Sequence, residues 1–406
     1  MPSFYSTASP KTLSVAMYTP SSAGGHALYS QEVLEAAARQ SCISGVHYDF
    51  SLVTSANLAE RFSSSIYQIY RLLPIQKPKN AYSTVWIWRL SRVVYYFRRE
   101  WTLLSWLRDH PLVGLVHFQE LSLWLGPAVI FLLRKILKRK VVYTVHNVRL
   151  HRYPHYIPQT LVDSVRKLTF LQCDALVVHS DSLRENLYAI LGSRSRLVEV
   201  APHGVWSKRN DLPSFEPRIR RDSILFFGNI RRNKGLHVLI QAVRQKKFVE
   251  KLVIAGYPEE QNYFNNEIRP LMALARSEGI SIDLFDHFIL DCDLPLMFAK
   301  ACIVVLPYED FSAQSGVLFN ALGFGVPVVS SMAGAVGEVV RRFNIGETVS
   351  QLTAENLSEA MSVALARSRS GCYESGLGLA IKELSWDMHA KSLLEVYSRV
   401  YSNGEF

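Results

Sequence analysis

The residues best suited to chemistry on a phosphate lie in Leu225-Phe-Phe-Gly-Asn-Ile-Arg-Arg-Asn-Lys-Gly235, an apolar run followed by a basic turn. Arg231 offers a planar fork of donors and Lys234 a compact charge, and a helix expected from Leu236 adds the positive end of its dipole. Together they suit a diphosphate, the plainer alternative being a solvated basic turn. The GxxxxGK[ST] arrangement is absent, so ATPase chemistry is not indicated. A second segment, Pro307 to Pro327, has hydroxyls and a glycine at Ser312, Ser315 and Gly316 where a helix opens, which suits the same ligand through unpaired backbone N–H groups. In Thr19-Pro-Ser-Ser-Ala-Gly-Gly-His26, Gly24 and Gly25 let backbone approach a ligand, but the segment is not GxGxxG and a tight turn also accounts for it. Tyr143-Thr-Val-His-Asn147 sets His146 at the end of a buried strand, where it could bond a sugar hydroxyl or move a proton, or be structural.

Two other signals do not indicate a metal. His151 and His155 follow His146 at irregular spacing with no acidic partner in the motif. Asp291-Cys-Asp293 precedes Leu294-Pro295 and reads as a helix N-cap.

Positioning these groups requires alternating strands and helices. Strand-like runs fall at Leu13–Tyr18, Tyr48–Thr54, Leu115–Phe118, Val141–Val145, Ala175–His179, Leu197–Ala201, Ile224–Phe227, Leu252–Ala255, Ile282–Phe285, Ile303–Leu306 and Val326–Ser330. Most are continuous apolar runs, as strands covered on both faces require, and the alternation argues for parallel βαβ sheets. Eleven runs are many for one doubly wound sheet, so two are expected. The polar stretch Ser207–Arg221, with Pro213 and Pro217, reads as the boundary. Leu121–Leu133 reads as a buried helix, and Trp386–Tyr401 as a closing helix with apolar residues at helical spacing.

Composition is that of an ordinary globular protein, 49% hydrophobic and 20% charged, and the net charge of +10 points to an anionic partner. The basic residues are scattered and no nucleic-acid reader motif is present, so nucleic acid is not the expected partner. Five scattered cysteines form no disulfide framework and suit a reducing compartment. Met1–Thr12 does not read as a signal peptide, and no run reaches the roughly 18–20 apolar residues of a spanning helix. The expected setting is cytoplasmic. Between Tyr67 and Arg108, Trp86, Trp88, Tyr95, Tyr96, Trp101 and Trp106 mix with Arg89, Arg92, Arg98 and Arg99, and a further basic patch runs from Arg134 to Lys140. That mixture suits either a peripheral place on an anionic membrane surface or a helix with a core face and a solvated basic face.

Taken in order, these segments resemble glycosyltransferase family 4 and its GT-B relatives. Gly24-Gly25-His26 matches the glycine loop, Thr144-Val-His146-Asn147 the histidine strand, and Ala201-Pro-His-Gly-Val205 the hinge segment. Phe227-Gly through Lys234-Gly235 matches the phosphate turn, and Ser315-Gly-Val-Leu318 with Gly325-Val-Pro-Val-Val329 the donor helix and next strand. Leu384-Ser-Trp386 resembles the start of a helix that crosses back to the N-domain. The resemblance implies an α/β fold of two Rossmann-like doubly wound domains facing a cleft. Residues 1–206 with 385–406 would hold the acceptor, and residues 207–384 the nucleotide-sugar donor. It implies hexose transfer from a nucleotide-diphosphate sugar to a glycan or lipid-linked acceptor, retaining and without a metal or other cofactor. The family's two glutamates, separated by seven residues, fall here on Ser312 and Asn320, and its arginine after the glycine falls on Asn229. The two missing glutamates make a non-catalytic sugar-nucleotide-binding subunit one alternative, and a nucleotide-sugar epimerase, which could share the GT-B fold without an external acceptor, is another. On these readings the catalytic set is His146, Arg231 and Lys234. The donor-binding set is Gly24, Gly25, Asn229, Phe288, Ser312, Gln314, Ser315, Gly316, Val317 and Asn320.

Overall fold

The computed structural model describes residues 12–22, 25–44, 46–59, 63–78, 81–148, 157–192, 197–206, 221–248, 250–290, 292–309, 314–332 and 334–402. Gly24, His151, His155, Asp291 and Ser312 lie outside the described residues. The chain divides into two compact units, one comprising Met1–Pro202 with Trp386–Phe406 and the other His203–Ser385.

The first unit holds a seven-stranded sheet in the order β3-β2-β1-β4-β5-β6-β7. Its strands are β1 (Leu13–Thr19), β2 (Tyr48–Ser55), β3 (Gln68–Leu73), β4 (Val113–Phe118), β5 (Lys140–Thr144), β6 (Ala175–Val178) and β7 (Leu197–Val200). The second unit holds a six-stranded sheet in the order β10-β9-β8-β11-β12-β13, made of β8 (Ser223–Phe227), β9 (Lys251–Ala255), β10 (Ile282–Phe285), β11 (Ala301–Leu306), β12 (Val328–Ser331) and β13 (Gly346–Val349). Every pairing is parallel. Helices cover both faces, so central strands such as β11 are buried along their whole length. Two strands, β3 and β13, are absent from the apolar runs of the sequence. Both are edge strands, and their Gln-Ile-Tyr-Arg-Leu-Leu and Gly-Glu-Thr-Val sequences are largely half-buried or exposed, which leaves no continuous apolar signal.

Strand order reverses between β1 and β4 in the first sheet and between β8 and β11 in the second. Parallel α/β sheets open a crevice outside the carboxyl ends of strands at such a switch point. The segments that follow those four strands are Pro20–His26, Gln119–Leu125, Gly228–Gly235 and Pro307–Ser315. Topology therefore sets most of the chemically able segments at the two crevices.

Three local expectations are corrected. The helix expected over Leu121–Leu133 begins at Gly126, with Pro127 in its first turn, and runs to Phe131 before a π-turn over Leu132–Ile136. Proline with its fixed φ favours a helix start over an interior position. Phe131 and Leu132 are exposed, so the segment is not buried throughout. Asp293 does occupy the N-cap of the helix Leu294–Lys300, with Pro295 in the first turn, but its side chain makes no capping bond. The helix Val85–Asp109 is amphipathic in an inverted sense. Trp86, Leu90, Val93, Phe97 and Trp101, at near-helical spacing, point to solvent, while Arg99 and Glu100 are buried with Leu103, Trp106 and Leu107. The buried pair is satisfied. Arg99 Nη2 donates to Glu100 Oε1 at 2.7 Å, and the Tyr18 hydroxyl to Glu100 Oε2 at 2.9 Å. The Ser122 N–H donates to Glu100 Oε1 at 3.2 Å. An internal pair of this kind needs such partners to offset its desolvation.

Candidate functional site

In the second unit, β8 ends at Phe227 and the chain turns through Gly228 into a 3-10 turn, Arg232–Lys234, before the helix Leu236–Lys246. Gly235 joins them at φ +64°, where a Cβ would collide with the Pro307 carbonyl oxygen, so glycine is required twice over. This close approach brings the basic turn against the segment after β11. Lys234 Nζ sits 3.6 Å from the centre of the Tyr308 ring, and the Tyr308 hydroxyl is 3.0 Å from Ser315 Oγ. A Cβ at Gly228 would stand 3.4 Å from Val317 Cγ2. Gly228, Lys234, Tyr308, Ser315 and Val317 therefore form one contiguous patch around the N-terminus of the helix Gly316–Gly323.

That helix start suits an anion. Ser315 is its N-cap, but the hydroxyl bonds Tyr308 and makes no capping bond to the first turn. Gly316 is exposed, and nothing lies within 4 Å of where its Cβ would be. Two buried acceptors nearby in sequence, Asn233 Oδ1 and Gln314 Oε1, have no hydrogen-bond partner among the described residues. Ligand hydroxyls or amides would satisfy them.

The charges of the turn are already engaged. Burial, reinforced by the charge of Arg231, pushes Lys234 down to about 7. Arg231 Nε donates to Glu259 Oε2 at 2.6 Å, and Asn229 Nδ2 donates to the same oxygen at 3.2 Å. Glu259, a residue the sequence did not single out, thus competes with any phosphate for Arg231. Asn320 lies partly buried on the same helix as Gly316 and Val317, while Phe288 is exposed in the loop between β10 and the next helix. No described contact brings Phe288 to the patch.

In the first unit, Gly25 opens the helix Gly25–Ser44, with open space where its Cβ would be. His26 on its first turn meets His146 edge to face, ring centres 4.7 Å apart, and Tyr29 meets the same ring at 4.9 Å. Below them, His146 Nε2 lies 3.0 Å from Gln119 Oε1 and His146 Nδ1 lies 3.2 Å from His179 Nε2. The reason is register. β5 and β6 pair Thr144 with Val177, so the residues two beyond each fall side by side, and those are His146 and His179. β6 and β7 pair Val178 with Val200, which sets His179 beside Ala201, and His179 Nδ1 lies 3.0 Å from the Ala201 carbonyl. Burial pushes His179 down to about 4 and His117 down to about 3. Gln119 and His179 were missed from sequence, although His179 ends a strand-like run as His146 does.

Of these residues, His26, Gln119 and His146 border a cavity of about 610 Å³, which Glu120 and Asn147 wall on the same side and Val93, Phe97, Leu121, Trp124 and Phe170 on the other. Two buried polar atoms at its wall, His26 Nδ1 and Ser122 Oγ, lack a partner among the described residues. The space is lined mainly by apolar groups, with a few polar ones at the histidine end. Among the described residues no cluster of three or more His, Cys, Asp or Glu side chains could hold a metal ion.

Two parallel sheets, each reversing strand order at a switch point and flanked by helices, define an α/β protein of the two-domain GT-B class. The model "Glycosyltransferase Family 4" matches residues 53–209, and "Glycosyl transferases group 1" matches residues 221–367. The chain belongs to the family 4-like glycosyltransferases. It is 23% identical to a glycogen synthase of Mycobacterium tuberculosis over 269 residues, covering 64% of this chain and 58% of that one. It is 26% identical to a D-inositol 3-phosphate glycosyltransferase of Xylanimonas cellulosilytica over 246 residues, 56% of this chain and 57% of the relative. The match thus spans little more than half the length of these relatives. Among solved structures, sucrose-phosphate synthase of Thermosynechococcus elongatus superposes with a TM-score of 0.72 at 18% identity, over 97% of this chain and all of the other. The Anabaena protein HepE in complex with UDP-glucose superposes at 0.67 with 15% identity, over 95% of this chain and 100% of that one. At such identity these likenesses show the fold.

Proposed function

We propose that the chain transfers a hexose from a nucleotide-diphosphate sugar to a glycan or lipid-linked acceptor, with retention at the anomeric carbon and without a metal ion. The carrying observation is the basic turn held against an uncapped helix start, Lys234 to Tyr308 to Ser315. In this reading the diphosphate lies on the N–H groups at Ser315–Val317, with Lys234 and Arg231 over its oxygens and Gly228 and Asn229 at its edge. Negative charge grows on that group as the glycosidic bond breaks, and donors already in place lower the barrier. Asn320 and Gln314 would bond donor hydroxyls. The departing phosphate would take the acceptor proton on the same face, and His146 would orient the transferred sugar. HepE binds UDP and UDP-glucose, so a UDP-sugar is the first donor to try.

The lipid-linked arm of the proposal rests on the exposed stripe Trp86, Leu90, Val93, Phe97 and Trp101, flanked by Arg89 and Arg98. Val93 and Phe97 also wall the histidine cavity, so an apolar carrier on the stripe would lead towards His146. A cationic–aromatic helix face of this kind suits an anionic membrane surface. No helix among the described residues is long and apolar enough to cross a membrane.

Replacing Lys234 with Ala should lower kcat/KM by about 10²–10³, the effect of removing one preorganised donor. An unchanged kcat/KM would remove the phosphate assignment. Flotation with anionic vesicles should recover the chain at low salt, and Leu90→Asp with Phe97→Asp should release it. Absence of binding at low salt would end the membrane arm while leaving the donor assignment standing.

A further inference from the structure

Resting on the proposed role of His146, we infer that His179 is a positioning residue that holds the His146 proton on Nδ1 and leaves Nε2, at the cavity wall beside Gln119, as the basic atom of that ring. The argument is one of donors and acceptors. The Ala201 carbonyl can only accept, so the His179 nitrogen 3.0 Å away, Nδ1, carries a hydrogen. Burial keeps His179 neutral near pH 7, so its Nε2 is a lone pair. The atom 3.2 Å from that lone pair, His146 Nδ1, must then be the donor. A neutral His146 is left with an unprotonated Nε2, 3.0 Å from the Gln119 carboxamide.

As placed, Gln119 turns Oε1 towards His146 Nε2, so the assignment requires the other orientation of that carboxamide. A lone pair on His146 Nε2 selects the N–H₂ end of Gln119, and a half-turn of the carboxamide supplies it, since its two ends are interchangeable in shape. The half-turn places Oε1 towards His117 Nε2, now 3.4 Å from the amide nitrogen. Buried, neutral His117 can accept a hydrogen bond at Nδ1 from the Tyr397 hydroxyl, 2.6 Å away, and donate from Nε2 to Thr144 Oγ1 at 2.7 Å and to Gln119. With these assignments each of these contacts, from Ala201 to Thr144, pairs one donor with one acceptor.

The consequence lies in what His146 can do. For a sugar hydroxyl to reach Nε2 it must replace the Gln119 amide as the donor to that lone pair, and if Nε2 takes the hydroxyl proton to form an imidazolium, Gln119 turns Oε1 back to accept from it. In the imidazolium, Nδ1–H still donates to His179, so the ring keeps its place in both states. His179 occupies the position a carboxylate holds in many acid–base pairs, but as a neutral acceptor it orients without adding charge. His26 and Tyr29 pack edge-on against the His146 ring and restrict its rotation.

The test uses the full chain with ¹⁵N-labelled histidine, whose ring-nitrogen shifts separate protonated from bare nitrogens without requiring turnover. Wild type should show His146 as the Nδ1–H form near neutral pH. His179→Phe should shift His146 towards the Nε2–H form and lower kcat about 10–100-fold, the loss usual when a ligand-orienting partner is removed, with donor KM little changed. His179→Gln, whose side-chain carbonyl can accept from Nδ1–H, should restore the tautomer and most of the rate. His389→Gln belongs to the same cluster but bonds Tyr29, and should leave the His146 tautomer as it is. An Nε2–H His146 in wild type would overturn the inference, as would equal loss of rate in His179→Phe and His179→Gln. If His179→Phe does not fold, the wild-type tautomer decides by itself. Failure here leaves the Lys234 assay standing, and failure of that assay leaves the tautomer readable.

Discussion

Binding of a nucleotide sugar should draw a proton onto Lys234. Without ligand, burial and Arg231 hold this lysine at about 7, so at about pH 8 only about a tenth of molecules carry the charge. A diphosphate over Nζ favours the charged form and returns the group towards the ordinary lysine range. The complex should therefore take up about 0.9 proton at about pH 8 and about 0.5 at about pH 7. Affinity should fall about tenfold per pH unit above about 7.5, because a growing fraction of free protein must be protonated first. The effect on the free protein has the opposite sense. A lowered lysine binds fewer protons folded than unfolded between about pH 7 and its ordinary value, so it costs stability below about pH 7 and that cost lifts as pH rises. Lys234→Met should accordingly stabilise the free protein at neutral pH while weakening nucleotide binding. Calorimetry in two buffers of different ionisation enthalpy reads the proton uptake directly, with whichever of the UDP-, GDP-, ADP- and TDP-sugars gives the largest thermal shift. A bound donor with no proton uptake, or the same uptake in Lys234→Met, would refute the reasoning.

Three further outcomes follow from the same geometry. Gly235→Ala combines a positive φ with a collision on the Pro307 carbonyl, and should cost at least about 2 kcal/mol in urea unfolding. Glu259→Gln should tighten donor binding by up to about fivefold, the worth of the part-exposed ion pair that now occupies Arg231, and weaker binding would mean Glu259 serves the ligand instead. Activity should survive EDTA, whereas strict dependence on Mg²⁺ would return attention to Asp291 and Asp293.

Much of this protein was legible from residue order alone. Apolar runs located eleven of the thirteen strands among the described residues, because a strand covered on both faces must be apolar along its length. Gly235 and the basic residues before it marked a turn, since a short polar stretch between a buried strand and a helix has few other conformations. The edge strands β3 and β13 escaped because most of their residues are half-buried or exposed, which removes that constraint. Pairing and direction lay outside the pattern. The stripe from Trp86 to Trp101 has the spacing of a core face, yet the Arg99–Glu100 pair turns inward, because Tyr18 and the Ser122 N–H supply the partners that make its burial tolerable. Nor does sequence reveal that Glu259 holds Arg231 or that His179 holds His146. Those contacts join residues 28 and 33 positions apart, brought together by loop approach and strand register. Local composition fixes which residues can do chemistry, and parallel pairing fixes which of them meet.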